Sequence, residues 1–151
     1  MDLRPSPPAT LPPHLVFSAG MRWFGIPAES ASEVMTFPAL TAVPGGPSHL
    51  LGLFSHRGEI IPVVDFSYLD CGARHPTQRA ILMRVAAGVV ALTVGEVIGM
   101  SPVSGSPARL AESGFASHLL GPAQAGEREV ALVEPDGLFA FLSLRPHGPT
   151  P

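Results

Sequence analysis

Apolar and polar residues follow one another in short runs along this chain, and no stretch holds the spacing of a long amphipathic helix. The clearest unit spans residues 50–66. Two apolar arms, 50–54 and 60–64, flank a polar knuckle, Ser55-His56-Arg57-Gly58-Glu59. β-favouring arms joined by a short Gly-containing connection predict a β-hairpin. Strands are also predicted over 14–19, 22–26 and 31–36, the last with Glu33 and Val34 on opposite faces. Residues 37–49, rich in Pro and Gly, predict a crossing loop. Asp65 is placed to cap helical turns over 66–70, and Gly72 to close them.

Downstream, the pattern predicts a second hairpin from 80–85 and 89–94, then a strand over 96–100 after a kink at Gly95. A loop over 101–114, strands over 115–120 and 129–133, and a short helix over 136–142 capped by Asp136 complete the series. The Pro-rich residues 1–13 and the segment 144–151 predict disordered tails, since proline removes amide donors. About ten short strands, with turn signals every ~8–12 residues, make this an all-β protein with short helices, a sandwich or barrel.

Composition narrows the functional classes. The 151 residues suit one domain, or two small barrels sharing a core. A content of 46% hydrophobic against 14% charged residues is too apolar for disorder and fits a partner-covered surface. The net charge of −3, without a basic cluster, argues against nucleic acid. Neither a membrane-length apolar run nor a signal-peptide core is present, so the expectation is a cytoplasmic protein with no direct membrane insertion. The single Cys71 excludes an intrachain disulfide.

Candidate chemistry is sparse. Ser55, His56 and Asp65 are the residue types of a nucleophile, base and orienter. Adjacent strand residues, however, point to opposite faces, and no nucleophile elbow surrounds the serine. His49, His56, Cys71 and His75 lack the paired spacing of a zinc site, and Val43-Pro44-Gly45-Gly46-Pro47 lacks the lysine and helix of a phosphate loop. The expectation is a non-enzyme with no cofactor and no metal site. Val34, Leu53, Ile60 and Val63 read individually as core.

Phe24-Gly25-Ile26-Pro27, Glu33-Val34, Thr41-Ala42-Val43-Pro44, Gly52 and Arg57-Gly58-Glu59-Ile60-Ile61-Pro62-Val63-Val64-Asp65 resemble the CheW family of bacterial chemotaxis coupling proteins. The resemblance implies two intertwined SH3-like five-stranded β-barrels over residues 14–143, the first roughly 14–72 and the second roughly 73–143. It implies an adaptor that joins the helical cytoplasmic tip of methyl-accepting chemoreceptors to the regulatory domain of a CheA-type histidine kinase. By position, receptor binding falls to Arg57, Glu33, Val34 and Gly58, with Gly52 and Asp65 shaping the backbone. A groove near the 50–60 hairpin would take an amphipathic receptor helix, with Arg57 setting register. The sequence departs from the family pattern at Ser55-His56, Ser67, Gly95 and 101–128. These departures keep open a divergent accessory that binds receptors without docking the kinase. A small hydrolase or metal enzyme is the alternative from another class.

Overall fold

The computed structural model describes residues 10–142. One sheet is built from β1 (Thr10–Ala19), β2 (Arg22–Pro27), β8 (Val97–Ser104), β9 (Ala108–Arg109), β10 (Leu119–Ala125) and β11 (Arg128–Val133). Its order is β11-β2-β1-β8-β10-β9, and pairing of β10 with β11 closes five of these strands into a ring, the terminal barrel. The other sheet holds β3 (Ala31–Thr36), β4 (Leu50–His56), β5 (Glu59–Val64), β6 (Arg79–Val85) and β7 (Gly88–Thr93). Its order, β3-β6-β7-β5-β4, leaves a seam between β3 and β4 in this central barrel. Thr41 and Leu53 bridge the seam by exchanging backbone hydrogen bonds of 2.8 and 2.9 Å.

The two expected five-stranded barrels are therefore present, but the chain is shared between them differently. A division near residue 72 would put β1 and β2 with β3–β5. Instead β1 pairs with β8, β2 runs parallel to β11, and β5 runs parallel to β7. The central segment forms one barrel, and both flanking segments form the other. Such pairings join residues far apart in sequence, which a local pattern does not report.

Local elements differ in four places. β1 begins at Thr10 rather than at 14, with Leu11 paired to Val103. Pro12 and Pro13 fall at the register shift between Leu11 and His14, where the ladder does not call on their missing donors. β8 runs through Pro102 into the predicted 101–114 loop, and β9 forms there as well. Phe115–His118 is a 3-10 turn that leads into β10. The last helix, α2 (Pro135–Phe141), has Glu134 rather than Asp136 at its cap position. Pro135 opens it, in the first turn, where a helix loses no internal hydrogen bond by lacking an N–H. The predicted 144–151 tail and most of the 1–13 tail lie outside the described residues.

The helix α1 (Phe66–Cys71) forms as its flanking residues dictate. The Asp65 carboxylate accepts from the Tyr68 amide at 3.2 Å, and Gly72 closes the helix at φ 74°. Arg74 lies 3.0 Å from Asp65 and over the Tyr68 ring at 4.3 Å.

Three apolar clusters hold the two barrels. Phe37, Phe54, Ile61, Val63 and Leu82 fill the central barrel, and Val16, Val103, Ala123, Val130 and Leu132 fill the terminal one. The largest cluster is shared, with Phe17, Phe24, Ile26, Phe66, Ile81, Leu92 and Leu138 drawn from both sheets and both helices. Its center is aromatic: Phe66 meets Phe24 edge-on at 4.7 Å and Phe17 at 5.4 Å. Such pairs add about 0.5–1.5 kcal/mol each beyond area burial. The barrels are thereby bonded face to face.

Candidate functional site

The hairpin of β4 and β5 turns through Arg57 and Gly58 alone, with His56 opposite Glu59. Arg57 has φ 51° and Gly58 φ 83°, the signature of a type I′ turn. Such a turn matches strand twist, yet it places a branched-at-Cβ-free but long side chain in a backbone region that L residues avoid. Arg57 is the only non-glycine with positive φ among the described residues.

Its side chain is 77% exposed and reaches Glu33 with Nη2 at 3.6 Å from Oε1. The other oxygen of Glu33 accepts from His56 Nε2 at 3.1 Å. Glu33 stands on β3 and His56 on β4, so this carboxylate ties together the two strands flanking the open seam. Further along the rim, Arg84 of β6 grips Glu59 of β5 through two hydrogen bonds, 2.7 and 3.1 Å. Those bonds hold the Glu59 carboxyl below its usual range and raise the Arg84 guanidinium. By strand alternation, His56 follows Phe54 and Arg84 follows Leu82 on the face that fills the barrel. The charged rim caps that apolar interior.

Val34 and Ile60 neighbour Glu33 and Glu59 in sequence but are 42% and 63% exposed. Of the four residues expected in the core, only Val63 is fully buried, and Leu53 is half-buried. Val34 and Ile60 instead leave apolar surface beside the rim. Alternation would assign them a face, but it cannot tell that nothing covers that face.

Gly52 has a direct steric reason. A Cβ there would lie 2.8 Å from both Leu40 Cβ and the Thr41 carbonyl, so only glycine lets the crossing loop close the seam. Asp65 stands apart from the rim, buried at the head of α1.

The candidate catalytic and metal residues do not converge. Ser55 is exposed, His56 is bonded to Glu33, and Asp65 is engaged by Arg74. His49 Nε2 lies 3.2 Å from the Leu142 carbonyl, whereas His75 Nδ1 is 3.3 Å from the Ser67 hydroxyl. Among the described residues, no three His, Cys, Asp or Glu side chains gather as metal ligands. The Glu59–Arg84 pair was not legible beforehand. An arginine ending the apolar run 80–83 signals a rim position, but its partner lies on β5, which β7 separates from β6 in the sheet.

The CheW-like domain family model matches residues 13–141. The chain belongs to the CheW-like domain family. With that membership it is a CheW-like scaffold or adaptor of chemotaxis signalling. Among its relatives, Protein FrzA of Myxococcus xanthus is 34% identical over 122 residues, covering 77% of this chain and 76% of that one. A Chemotaxis protein CheW of Rhizobium meliloti (strain 1021) is 31% identical over 93 residues, 60% of each chain. The solved structure of the scaffolding protein TtCheW from Thermoanaerobacter tengcongensis superposes with a TM-score of 0.68 at 22% identity, covering 88% of both chains. That last likeness carries the CheW fold alone.

Proposed function

We propose that this CheW-like protein is a non-catalytic adaptor that couples chemoreceptors to a CheA-type histidine kinase in the cytoplasm, at receptor arrays. The observation that carries the reading is Arg57. It occupies a turn position that Asn or Gly would fill without strain, and its guanidinium is mostly exposed, with the Glu33 carboxylate at 3.6 Å. A side chain kept at a backbone cost, with donors to spare, is suited to a partner's carbonyls or carboxylates. Glu33 aims it, Gly58 permits the turn, and Val34 with Ile60 supplies apolar contact for one face of a receptor helix.

The kinase side rests on a second exposed apolar strip. Ile98 and Met100 of β8 project from the terminal barrel at 48% and 55% exposure. Two apolar surfaces on two barrels suit a two-partner adaptor better than the receptor-only accessory. Each contact alone would be weak, and arrays would add strength through multivalency.

Binding of the purified protein to a receptor cytoplasmic tip and to a CheA regulatory domain, measured separately, tests both halves. Arg57→Glu is expected to abolish receptor binding and leave kinase binding intact. Met100→Glu is expected to do the reverse. Receptor binding that survives Arg57→Glu in a folded protein would overturn the site. Failure of the unaltered protein to bind the kinase domain would restore the accessory reading.

A further inference from the structure

A cleft of about 560 Å³ opens at the end of the terminal barrel, far in the topology from the Arg57 turn. Its walls are apolar: Leu11 and Leu120 from strands, Pro27 from the end of β2, Pro107 from the loop before β9 and Pro135 from the start of α2. In volume and lining it falls within the range of small-molecule sites.

His14 lies in this cleft and is only 5% exposed. Its Nδ1 is 2.6 Å from the Pro12 carbonyl, and a carbonyl only accepts, so the ring proton sits on Nδ1. Nε2 is then left with a lone pair. Among the described residues nothing donates to it, and it is not fully buried. Gly25 leaves room for His14, since a Cβ there would press on His14 Cβ and Leu132 at 3.2 and 3.1 Å.

The other polar side chains around the cleft are Glu29, Glu134 and Asp136. Glu134 has Arg109 at 3.7 Å, whereas Glu29 and Asp136 have no basic partner among the described residues. These four side chains offer acceptors and no donor. A metal is disfavoured because they do not gather as ligands. The complementary ligand brings donors, positive charge and an apolar body.

We propose that this cleft is a binding site for an organic cation, an ammonium or guanidinium on an apolar body. Its N–H would donate to His14 Nε2, its charge would face Glu29 and Asp136, and its body would pack on the proline-rich walls. The site is independent of the adaptor reading and of the rim at Arg57.

The test is a titration of the full chain followed by the ring resonances of His14 in NMR spectra. The probes are phenethylammonium, its anionic counterpart 3-phenylpropionate, and Nα-acetylarginine amide. Saturable shifts are expected with at least one cationic probe, at a Kd of about 1 mM or tighter, and none with the anion. Tighter binding of phenethylammonium points to a free amine as the source. Tighter binding of the arginine amide points to a basic side chain presented by a partner. Glu29→Gln with Asp136→Asn, both exposed positions that leave the core intact, is expected to weaken the cation at least about fivefold. His14→Phe is expected to abolish binding, read by the melting shift that the probe produces. Equal response to cation and anion, no saturable shift with either cation, or undiminished affinity in the double variant would each overturn the proposal.

Discussion

At the rim of the central barrel, every acidic side chain has a partner: Glu33 meets His56 and Arg57, and Glu59 meets Arg84. At the end of the terminal barrel, Glu29 and Asp136 stand without basic partners beside a buried imidazole, over a cleft walled by prolines. The two ends close differently because the two sheets close differently. The terminal ring is completed by the β10–β11 ladder, and its end is left open. The central sheet has a seam, and side chains from the two strands beside it tie that seam together. Exposed ion pairs contribute little stability individually. Their use here is to hold one long arginine and two apolar residues in a fixed arrangement. The open end offers acceptors to something small, whereas the closed end offers a shaped surface to something large.

The comparison is broken most completely by attacking what both barrels share. Phe66→Ala removes the ring that meets Phe17, Phe24 and Phe115, and is expected to cost about 3–5 kcal/mol. Denaturant unfolding should then show one transition moving to lower midpoint, with both barrels lost together. Two separate transitions would show that the barrels are independent.

Next in size is a lesion confined to the seam. Gly52→Ala drives a Cβ into Leu40 and the Thr41 backbone at φ 154°, and is expected to cost about 1–3 kcal/mol. Amide exchange should quicken at Thr41 and Leu53 while the β1–β2 ladder keeps its protection. Equal loosening of both ladders would mean that the seam is not a separate weak point.

A pH test isolates the other end. Burial lowers the His14 pKa from its ordinary 6.5, and the bond to the Pro12 carbonyl offsets only part of this. The unfolded chain therefore takes up this proton first as pH falls. His14 contributes no penalty above 6.5, and stability is lost as pH drops from there toward the lower folded value. His14→Gln is expected to flatten the fall in unfolding midpoint between about pH 7.5 and 5.5 relative to the unaltered chain. Glu29, Glu134 and Asp136 share the cleft and are present in both proteins, so their effect cancels from the comparison. Parallel profiles would remove His14 from this role.

The smallest effect on stability should accompany the largest on recognition. Arg57→Asn suits the type I′ turn and is expected to leave the melting temperature unchanged or raise stability by at most about 1 kcal/mol. Under the adaptor proposal it nonetheless loses receptor binding. Retained binding would reduce Arg57 to a turn residue.

Much of this was written in local sequence. Residues 31–36 form β3 with the expected ends, and Asp65 and Gly72 bracket α1 through a cap bond and a left-handed residue that follow from their own chemistry. The hairpin around Arg57-Gly58 needed nothing beyond two apolar arms and a glycine. Residues 101–120 were misread because Pro102 and Gly105 resemble loop, although a strand at a ring's irregular stretch tolerates proline. Arg57 could be singled out in the sequence. Its positive φ, which gives the turn its backbone cost, could not.

Period-two alternation, caps and turn glycines act over a few residues, so they determine which segments become strands and where α1 starts and stops. Membership of the two barrels depends on pairings such as β1 with β8 and β5 with β7, which join distant segments and gain their free energy only once the shared aromatic core forms. The same holds for the seam closed by Glu33, the exposure of Ile60 and the lone pair of His14. Each depends on which distant segments meet and what they cover or leave open, a property of the assembled molecule alone.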